Sequence, residues 1–130
     1  MIVVDASAFV ELLLGTSPGA AAARRIVASG AAPNAPHLLD LEVAQVLRRA
    51  VARRDITAER GREALETLAD SPIRRYAHDD LLPRIWGLRN SLSAYDAAYV
   101  ALAEVLDVPL LTRDARLANS SGHRARIELV

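Results

Sequence analysis

Residues Ile2-Val3-Val4-Asp5 join a run of three β-branched side chains to a carboxylate. A short apolar run of this kind is typical of a strand that is buried on both faces, as the strands of parallel sheets are. The following residues, 6–14, predict a helix that ends at Gly15. Asp5 therefore lies where the strand gives way to the helix, where it can cap the helix or serve chemistry at the edge of a sheet.

The rest of the chain repeats this alternation of short apolar strands and longer helices. Alternation of this kind predicts an α/β fold with three layers, in which helices cover both faces of a central, mainly parallel sheet. A single domain over residues 1–130 is expected, because domains usually contain about 100–150 residues. Further strands are predicted within 33–36, 72–77, 108–112 and 127–130, and further helices within 17–29 (capped by Ser17), 38–54, 57–70, 79–90, 94–106 and 115–120.

Composition excludes several functional classes. All 16 basic residues are Arg, and 16 acidic residues balance them to a net charge of zero, which does not suggest a simple polybasic nucleic-acid binder. The absence of Lys excludes Schiff-base chemistry and a phosphate-binding P-loop. The absence of Cys excludes disulfides and thiolate metal sites. Aromatic residues make up only 4% of the chain, which argues against an extended platform for stacking bases.

Targeting signals are not evident in the sequence. No apolar run reaches about 18 residues, so no membrane span and no membrane partner are expected. The start of the chain lacks the basic region of a signal peptide. A cytoplasmic protein is therefore the expectation.

Four carboxylates stand out by their positions. Asp5 and Asp114 each follow a predicted strand, and the carboxyl ends of parallel strands are where ligands bind in such sheets. Glu42 is spaced by four residues from both Leu38 and Val46 and so lies beside the apolar face of its helix. Each of the three also has a structural interpretation, as a helix cap or as a solvated border residue that pairs with a nearby Arg.

Asp96 is the fourth carboxylate, and it lies three residues after Ser93 in a capping-box pattern. It also shares a helix face with apolar residues, and a carboxylate on a buried face must be paired or bound to a metal. If the four acids converge, their mutual repulsion raises some pKa values unless a divalent cation neutralises them. Oxygen ligands favour Mg²⁺ or Mn²⁺, one or two ions, over zinc. The three His are expected at the surface.

These residues carry a resemblance to a known family. The segments Val4-Asp5-Ala6-Ser7, Leu41-Glu42-Val43, Tyr95-Asp96-Ala97-Ala98 and Thr112-Arg113-Asp114 resemble those of the PIN-domain ribonucleases, and in particular of the VapC-type toxins of toxin–antitoxin pairs. The individual motifs are short, but their order and spacing match the family over the whole chain. Many relatives have Ser or Thr directly after the first acid, where this chain has Ala6.

The resemblance implies an endoribonuclease that depends on Mg²⁺ or Mn²⁺, acts as a homodimer and is silenced by a cognate antitoxin. It implies that Asp5 and Asp96 are the central metal ligands, and that Glu42 and Asp114 complete the acidic pocket. Ser7 matches a small hydroxyl residue that often supports the first acid, and Ser93 supports Asp96 as its cap.

The expected reaction is hydrolysis of an RNA phosphodiester by water, with Glu42 or Asp114 orienting the water. Among the basic residues, Arg89 and Arg113 are closest to the predicted edge and are candidates for contacts with RNA phosphates, although either could form an ordinary surface ion pair.

Two alternatives remain open at this stage. The chain could be a PIN-like module that binds RNA or an antitoxin but cleaves weakly or not at all. A phosphoryl-transfer enzyme with Asp5 as nucleophile is a further alternative. Ser7 stands where the haloacid-dehalogenase phosphatases have a second Asp, however, and both these enzymes and response-regulator receivers need a Lys that this chain lacks.

Overall fold

The computed structural model describes residues 1–130 as five short strands and seven α-helices. The strands are β1 (Val3–Val4), β2 (Asn34–Pro36), β3 (Arg74–Tyr76), β4 (Leu110–Thr112) and β5 (Ile127–Leu129). The helices are α1 (Ala6–Leu14), α2 (Ser17–Ala28), α3 (Leu38–Ala52), α4 (Ala58–Asp70), α5 (Leu82–Gly87), α6 (Ala94–Leu106) and α7 (Ala115–Ala118).

The five strands form one sheet in the order β3-β2-β1-β4-β5, and every neighbouring pair is parallel. Val3 lies opposite Asn34 on one side and Leu110 on the other, so β1 occupies the centre. Helices α1 to α4 pack against one another, and α6 packs against the three central strands, which confirms the predicted α/β architecture. The strand order reverses between β1 and β4, and the carboxyl ends of these two strands therefore flank the switch point of the sheet.

Local chemistry sets the ends of α1. The Asp5 carboxylate caps its first turn by accepting a hydrogen bond from the Ala8 backbone N–H at 3.0 Å. At the other end Gly15 adopts a left-handed conformation with φ of 68°, which glycine reaches without the steric cost that a Cβ imposes. The predicted helix over residues 6–14 is confirmed at both ends.

A close approach between helices joins α1 to α2. A Cβ placed on Gly19 would lie 2.0 Å from the Glu11 carbonyl oxygen, so only glycine fits at this crossing. Thr16, rather than the predicted Ser17, caps α2, because its hydroxyl accepts a hydrogen bond from the Gly19 N–H at 3.1 Å while Ser17 is already helical.

The predicted helix over residues 79–90 is wrong in its extent. A 3₁₀ helix over Asp79–Leu81 comes first, and α5 then covers only Leu82–Gly87. Pro83 lies at the start of α5, where its missing N–H costs nothing, and this favours a new helical segment over continuation of the first turn. No carboxylate caps the 3₁₀ helix.

The core lies on the sheet and the faces of the helices that cover it. Both residues of β1 and all three of β4 are buried, in agreement with the apolar pattern of these strands. None of the helices combines the length and the apolar character that a bilayer span demands.

Candidate active site

A pocket of about 580 Å³ opens at the carboxyl edge of the sheet, and Asp5, Glu42, Asp96 and Asp114 all line it. The four acids come from four separate places in the chain: the end of β1, the second turn of α3, the first turn of α6 and the cap of α7. The structure thus brings together all four predicted carboxylates.

Asp5 is the most deeply placed of the four acids, with an exposed fraction of 7%. Burial raises the pKa of its carboxyl above the usual value, while hydrogen bonds from Thr112, Ala8 and Ser7 oppose that rise by favouring the ionised form. The Ser7 hydroxyl donates to Asp5 Oδ1 at 2.7 Å, as the supporting role predicted for Ser7 requires.

Thr112 is a supporting residue that the sequence analysis missed. Its hydroxyl donates to Asp5 Oδ2 at 2.5 Å and accepts from the Asp114 backbone N–H at 3.0 Å, so it connects the first acid to the fourth. Thr112 is fully buried at the end of β4, beside β1. The available signal was its position at the carboxyl end of a strand, two residues before Asp114.

Glu42 and Tyr99 form the interior of the pocket. Glu42 Oε1 and the Tyr99 hydroxyl are both buried, and neither has a partner in hydrogen-bonding geometry. Burial raises the pKa of Glu42, the nearby Tyr99 hydroxyl lowers it, and the charges of Asp96 and Asp5 raise it further. Burial, together with the negative charge of Glu42, also raises the pKa of Tyr99. The three-residue spacing between Asp96 and Tyr99 was the sequence signal for this neighbour.

Asp96 and Asp114 differ in electrostatic state although they lie side by side. Burial and the charge of Asp114 raise the pKa of Asp96, and the Ser93 hydroxyl, which caps α6 by accepting from the Asp96 N–H at 3.2 Å, opposes this rise. The Arg116 guanidinium contacts Asp114 at 3.1 Å and lowers the pKa of that carboxyl. Arg116, which the sequence analysis did not single out, therefore keeps Asp114 ionised.

The two Arg predicted to contact RNA do not line the pocket. Arg89 lies over the ring of Trp86, 4.8 Å from its centroid, and donates to the Trp86 carbonyl. Arg113 donates to the Val130 carbonyl at 2.6 Å, while its backbone N–H donates to Ser7 Oγ. Their RNA contacts stay predictions, and the one cation that lines the pocket is Arg49.

Histidine takes no part in the pocket lining. His37 is exposed, as predicted, but the other two are half-buried and engaged. His78 Nε2 accepts from the Leu38 N–H at 3.0 Å, at the start of α3, and His123 bonds the Ser120 hydroxyl at 2.8 Å. The prediction that all three lie at the surface is therefore wrong for His78 and His123.

The ligands at hand suit a hard divalent cation. All the candidate donors are carboxylate oxygens, and the buried Glu42 oxygen has no other partner. No three acidic or imidazole side chains are grouped tightly enough to chelate an ion by themselves. This fits Mg²⁺, which keeps several waters and is usually held by one or two carboxylates together with substrate phosphate.

Comparison with known proteins identifies close relatives. Residues 2–122 match the family model of the PIN domain. The chain is 47% identical to Ribonuclease VapC12 of Mycobacterium tuberculosis over 130 residues, which covers all of this chain and 99% of that protein. It is 46% identical to Ribonuclease VapC1 of the same organism over 129 residues, covering 98% and 96% of the two chains.

Solved structures share the fold at lower sequence identity. A crystal structure of PAE2754 from Pyrobaculum aerophilum matches with a TM-score of 0.69 and 21% identity, covering 97% of this chain and 81% of that one. Mycobacterium tuberculosis VapC20, described as a toxin that cleaves the sarcin-ricin loop, matches with a TM-score of 0.68 and 19% identity, covering 92% and 94%. On the family match and the two full-length relatives, this chain belongs to the PIN-domain family, and within it to the VapC ribonucleases.

Proposed function

We propose that this chain is a metal-dependent endoribonuclease that acts as the toxin of a toxin–antitoxin pair. The observation that carries the proposal is the meeting of Asp5, Glu42, Asp96 and Asp114 in one pocket at the switch point of the sheet. Membership of the VapC ribonucleases supports RNA as the substrate. On the same ground we propose a cognate antitoxin as partner, a homodimer as the active assembly and the cytoplasm as its location.

Asp5 and Asp96 would hold the divalent ion, Mg²⁺ or Mn²⁺. Asp5 is fixed for this role, because three donors orient its carboxylate and leave it facing the pocket. Asp96 is fixed by its place in the first turn of α6. The bound ion supplies Lewis-acid polarisation of the scissile phosphate and activation of the attacking water.

Glu42 is the better candidate for the group that takes the proton from the attacking water. Its pKa is raised and one of its oxygens has no partner, so it can accept a proton. Asp114 is engaged by Arg116 and its pKa is lowered, which suits a fixed negative charge rather than a base. The water oxygen would bond to phosphorus while the P–O3′ bond breaks, and the leaving O3′ would take a proton from solvent. The products are a 5′-phosphate and a 3′-hydroxyl, without participation of the 2′-OH.

The test combines metal removal with substitution. Purified protein treated with chelator should not cleave total RNA, and added Mg²⁺ or Mn²⁺ should restore cleavage with 5′-phosphate ends. Asp5→Ala and Asp96→Ala should abolish cleavage while their circular dichroism spectra stay those of the wild type. Undiminished cleavage in either variant would refute the assigned roles. A wild type that binds RNA but never cuts it with any divalent ion would favour the alternative, a module that only binds.

A further inference from the structure

The pocket extends beyond the four acids along an exposed stretch of α3 and α6. Leu41, Val46 and Tyr95 all line it, and their exposed fractions are 74%, 36% and 62%. Tyr95 directly precedes Asp96 in the first turn of α6, and both side chains line the pocket. None of these apolar side chains is required by the catalytic roles assigned above.

Arg49 lies along the same part of the pocket, and it is the one cation among the lining residues. Its guanidinium forms no ion pair and no hydrogen bond, whereas Arg116 is bonded to Asp114 and the adjacent Arg48 is bonded to Gln45. Arg49 follows Glu42 by seven residues, which places it two helical turns, roughly 10 Å, further along α3. A free guanidinium thus lies in a pocket whose other charges are all negative.

The chemistry of these two residues points to one ligand class. A guanidinium binds a phosphate through two parallel hydrogen bonds, and an aromatic ring accepts the face of an unstacked base. Single-stranded nucleic acid is commonly held by this combination of a positive group that contacts the backbone and an aromatic ring that stacks on a base. The low aromatic content of the chain is no obstacle, because one exposed ring at the pocket is enough for one base.

We propose that Arg49 and Tyr95 form a subsite for one nucleotide of single-stranded RNA beside the acidic centre. Arg49 binds a phosphate neighbouring the scissile one, and Tyr95 stacks on a base. The inference rests on the proposed function, which requires an RNA strand to cross this pocket. It adds a division of labour: the acids act on the scissile phosphate, and Arg49 offsets their repulsion of the rest of the anionic strand.

The binding test uses the Asp96→Asn background, in which cleavage is expected to be lost. The probe is a fluorescein-labelled pool of single-stranded RNA 12-mers of random sequence, followed by fluorescence anisotropy in Mg²⁺ at several salt concentrations. Arg49→Ala should raise Kd about fivefold or more and reduce the slope of log Kd against log salt by about 0.7. Arg49→Lys should keep the slope, because it keeps the charge. Arg48→Ala, the matched control on the same helix, should change neither quantity.

Tyr95 is tested with the same probe. Tyr95→Ala should weaken binding about fivefold or more without changing the salt slope, since stacking is not an ionic contact. Tyr95→Phe should bind like the parent, because it keeps the ring. Both positions are exposed, so circular dichroism and thermal melting should show an unchanged fold. Equal binding by Arg49→Ala and Arg48→Ala, or by Tyr95→Ala and Tyr95→Phe, would overturn the subsite.

Cleavage by the otherwise wild-type protein separates this inference from the proposed function. If the wild type cleaves RNA and the Arg49→Ala and Tyr95→Ala variants raise KM with kcat little changed, both proposals hold. If the wild type cleaves and neither variant alters KM, the subsite is wrong while the ribonuclease proposal stands. If the wild type never cleaves but both variants lose binding of the 12-mers, the subsite stands and the ribonuclease proposal is wrong. Loss of binding to a co-purifying protein, with RNA binding intact, would assign these residues to a protein partner instead.

Discussion

The Thr112 hydroxyl donates a hydrogen bond of 2.5 Å to Oδ2 of Asp5, across 107 residues of sequence. It forms because β1 and β4 are neighbours in the sheet, so that the ends of both strands meet. The same hydroxyl accepts from the Asp114 N–H. The buried Thr112 side chain therefore fixes the orientation of the Asp5 carboxylate. It also fixes the start of the segment that carries Asp114.

Replacing Thr112 by Val should damage both stability and activity. The Asp5 carboxylate would lose a buried hydrogen bond that nothing replaces, at a cost of about 1–3 kcal/mol in the free energy of unfolding. RNA cleavage should fall about 10–100-fold, the usual effect of losing a group that orients a metal ligand. Urea unfolding and initial cleavage rates measure the two effects.

Thr112→Ser is the matched control, because it keeps the hydroxyl and removes only a methyl group. It should retain most of the activity. If Thr112→Val and Thr112→Ser cleave RNA at the same initial rate, the hydrogen bond to Asp5 does not contribute to activity.

Asp96→Asn should stabilise the metal-free protein at neutral pH. Burial raises the pKa of Asp96 above its ordinary value of 3.8, so between these two pKa values the folded state binds more protons than the unfolded state. The free energy of unfolding therefore falls as pH rises through that interval. Above the folded-state pKa, the ionised Asp96 carboxylate destabilises the folded protein by the full amount. Removing the charge should therefore raise the melting temperature at pH 7. The gain should shrink as pH falls through this interval and vanish well below pH 3.8, where Asp96 is protonated in both states.

Asp114→Asn should change the melting temperature at pH 7 in the opposite direction to Asp96→Asn. The Arg116 guanidinium lowers the pKa of Asp114, so its contribution to stability is present above 3.8 and is lost as pH falls through the folded pKa. The Asp114→Asn variant should therefore have a lower melting temperature than the wild type at pH 7, and the difference should be smaller at acidic pH. Thermal melts of both variants with chelator, from pH 3 to pH 7, compare the two directly. Shifts of the same sign at pH 7 would contradict this electrostatic account.

The sequence predicted those parts of the fold that depend on nearby residues. The two ends of α1, at Asp5 and Gly15, could be predicted because helix capping and a left-handed backbone conformation are local properties. The four acids were found because the carboxyl ends of parallel strands meet, and because helical spacing places Glu42 and Asp96 on buried faces. Thr112 was missed because its partner is set by strand pairing between distant segments, which no local pattern encodes.

The hydrogen-bonding partners of the Arg side chains could not be predicted from local sequence patterns either. Arg113 lies beside Asp114 in sequence, yet its guanidinium bonds the Val130 carbonyl, and Arg116 pairs with the acid instead. Arg49 was not among the Arg residues predicted to contact RNA. Its place in the pocket depends on how the sheet positions α3 and α6, which both line the pocket, and this requires the assembled fold.

Gly19→Ala should destabilise the protein without touching the site. The new Cβ would lie 2.0 Å from the Glu11 carbonyl oxygen, and backbone cannot move aside as a flexible side chain can. We expect a loss of about 3 kcal/mol, at the upper end of the cost of overpacking. Gly87→Ala is the control, since its Cβ would meet only the Arg84 guanidinium at 3.6 Å. Equal urea midpoints for the two variants would show that α1 and α2 do not approach this closely.

Tyr99→Phe should change the pH dependence of cleavage more than it changes stability. The Tyr99 hydroxyl is buried beside the Glu42 carboxylate, but the two groups lie outside strict hydrogen-bonding geometry. Its removal therefore breaks no well-formed hydrogen bond, and the melting temperature should stay close to that of the wild type. The same hydroxyl lowers the pKa of Glu42, so the pKa of Glu42 should rise when it is gone.

Because Glu42 must be ionised to accept a proton from water, the acid limb of the pH–rate profile should move to higher pH in Tyr99→Phe. Introducing Glu42→Gln into both backgrounds isolates the cause: the residual activities should then have the same acid limb. A Tyr99→Phe profile that overlays the wild type would remove Tyr99 from the tuning of Glu42. A shift that persists in the Glu42→Gln background would move the titration to Asp5 or Asp96, whose raised pKa values make them the remaining groups able to titrate in this pocket.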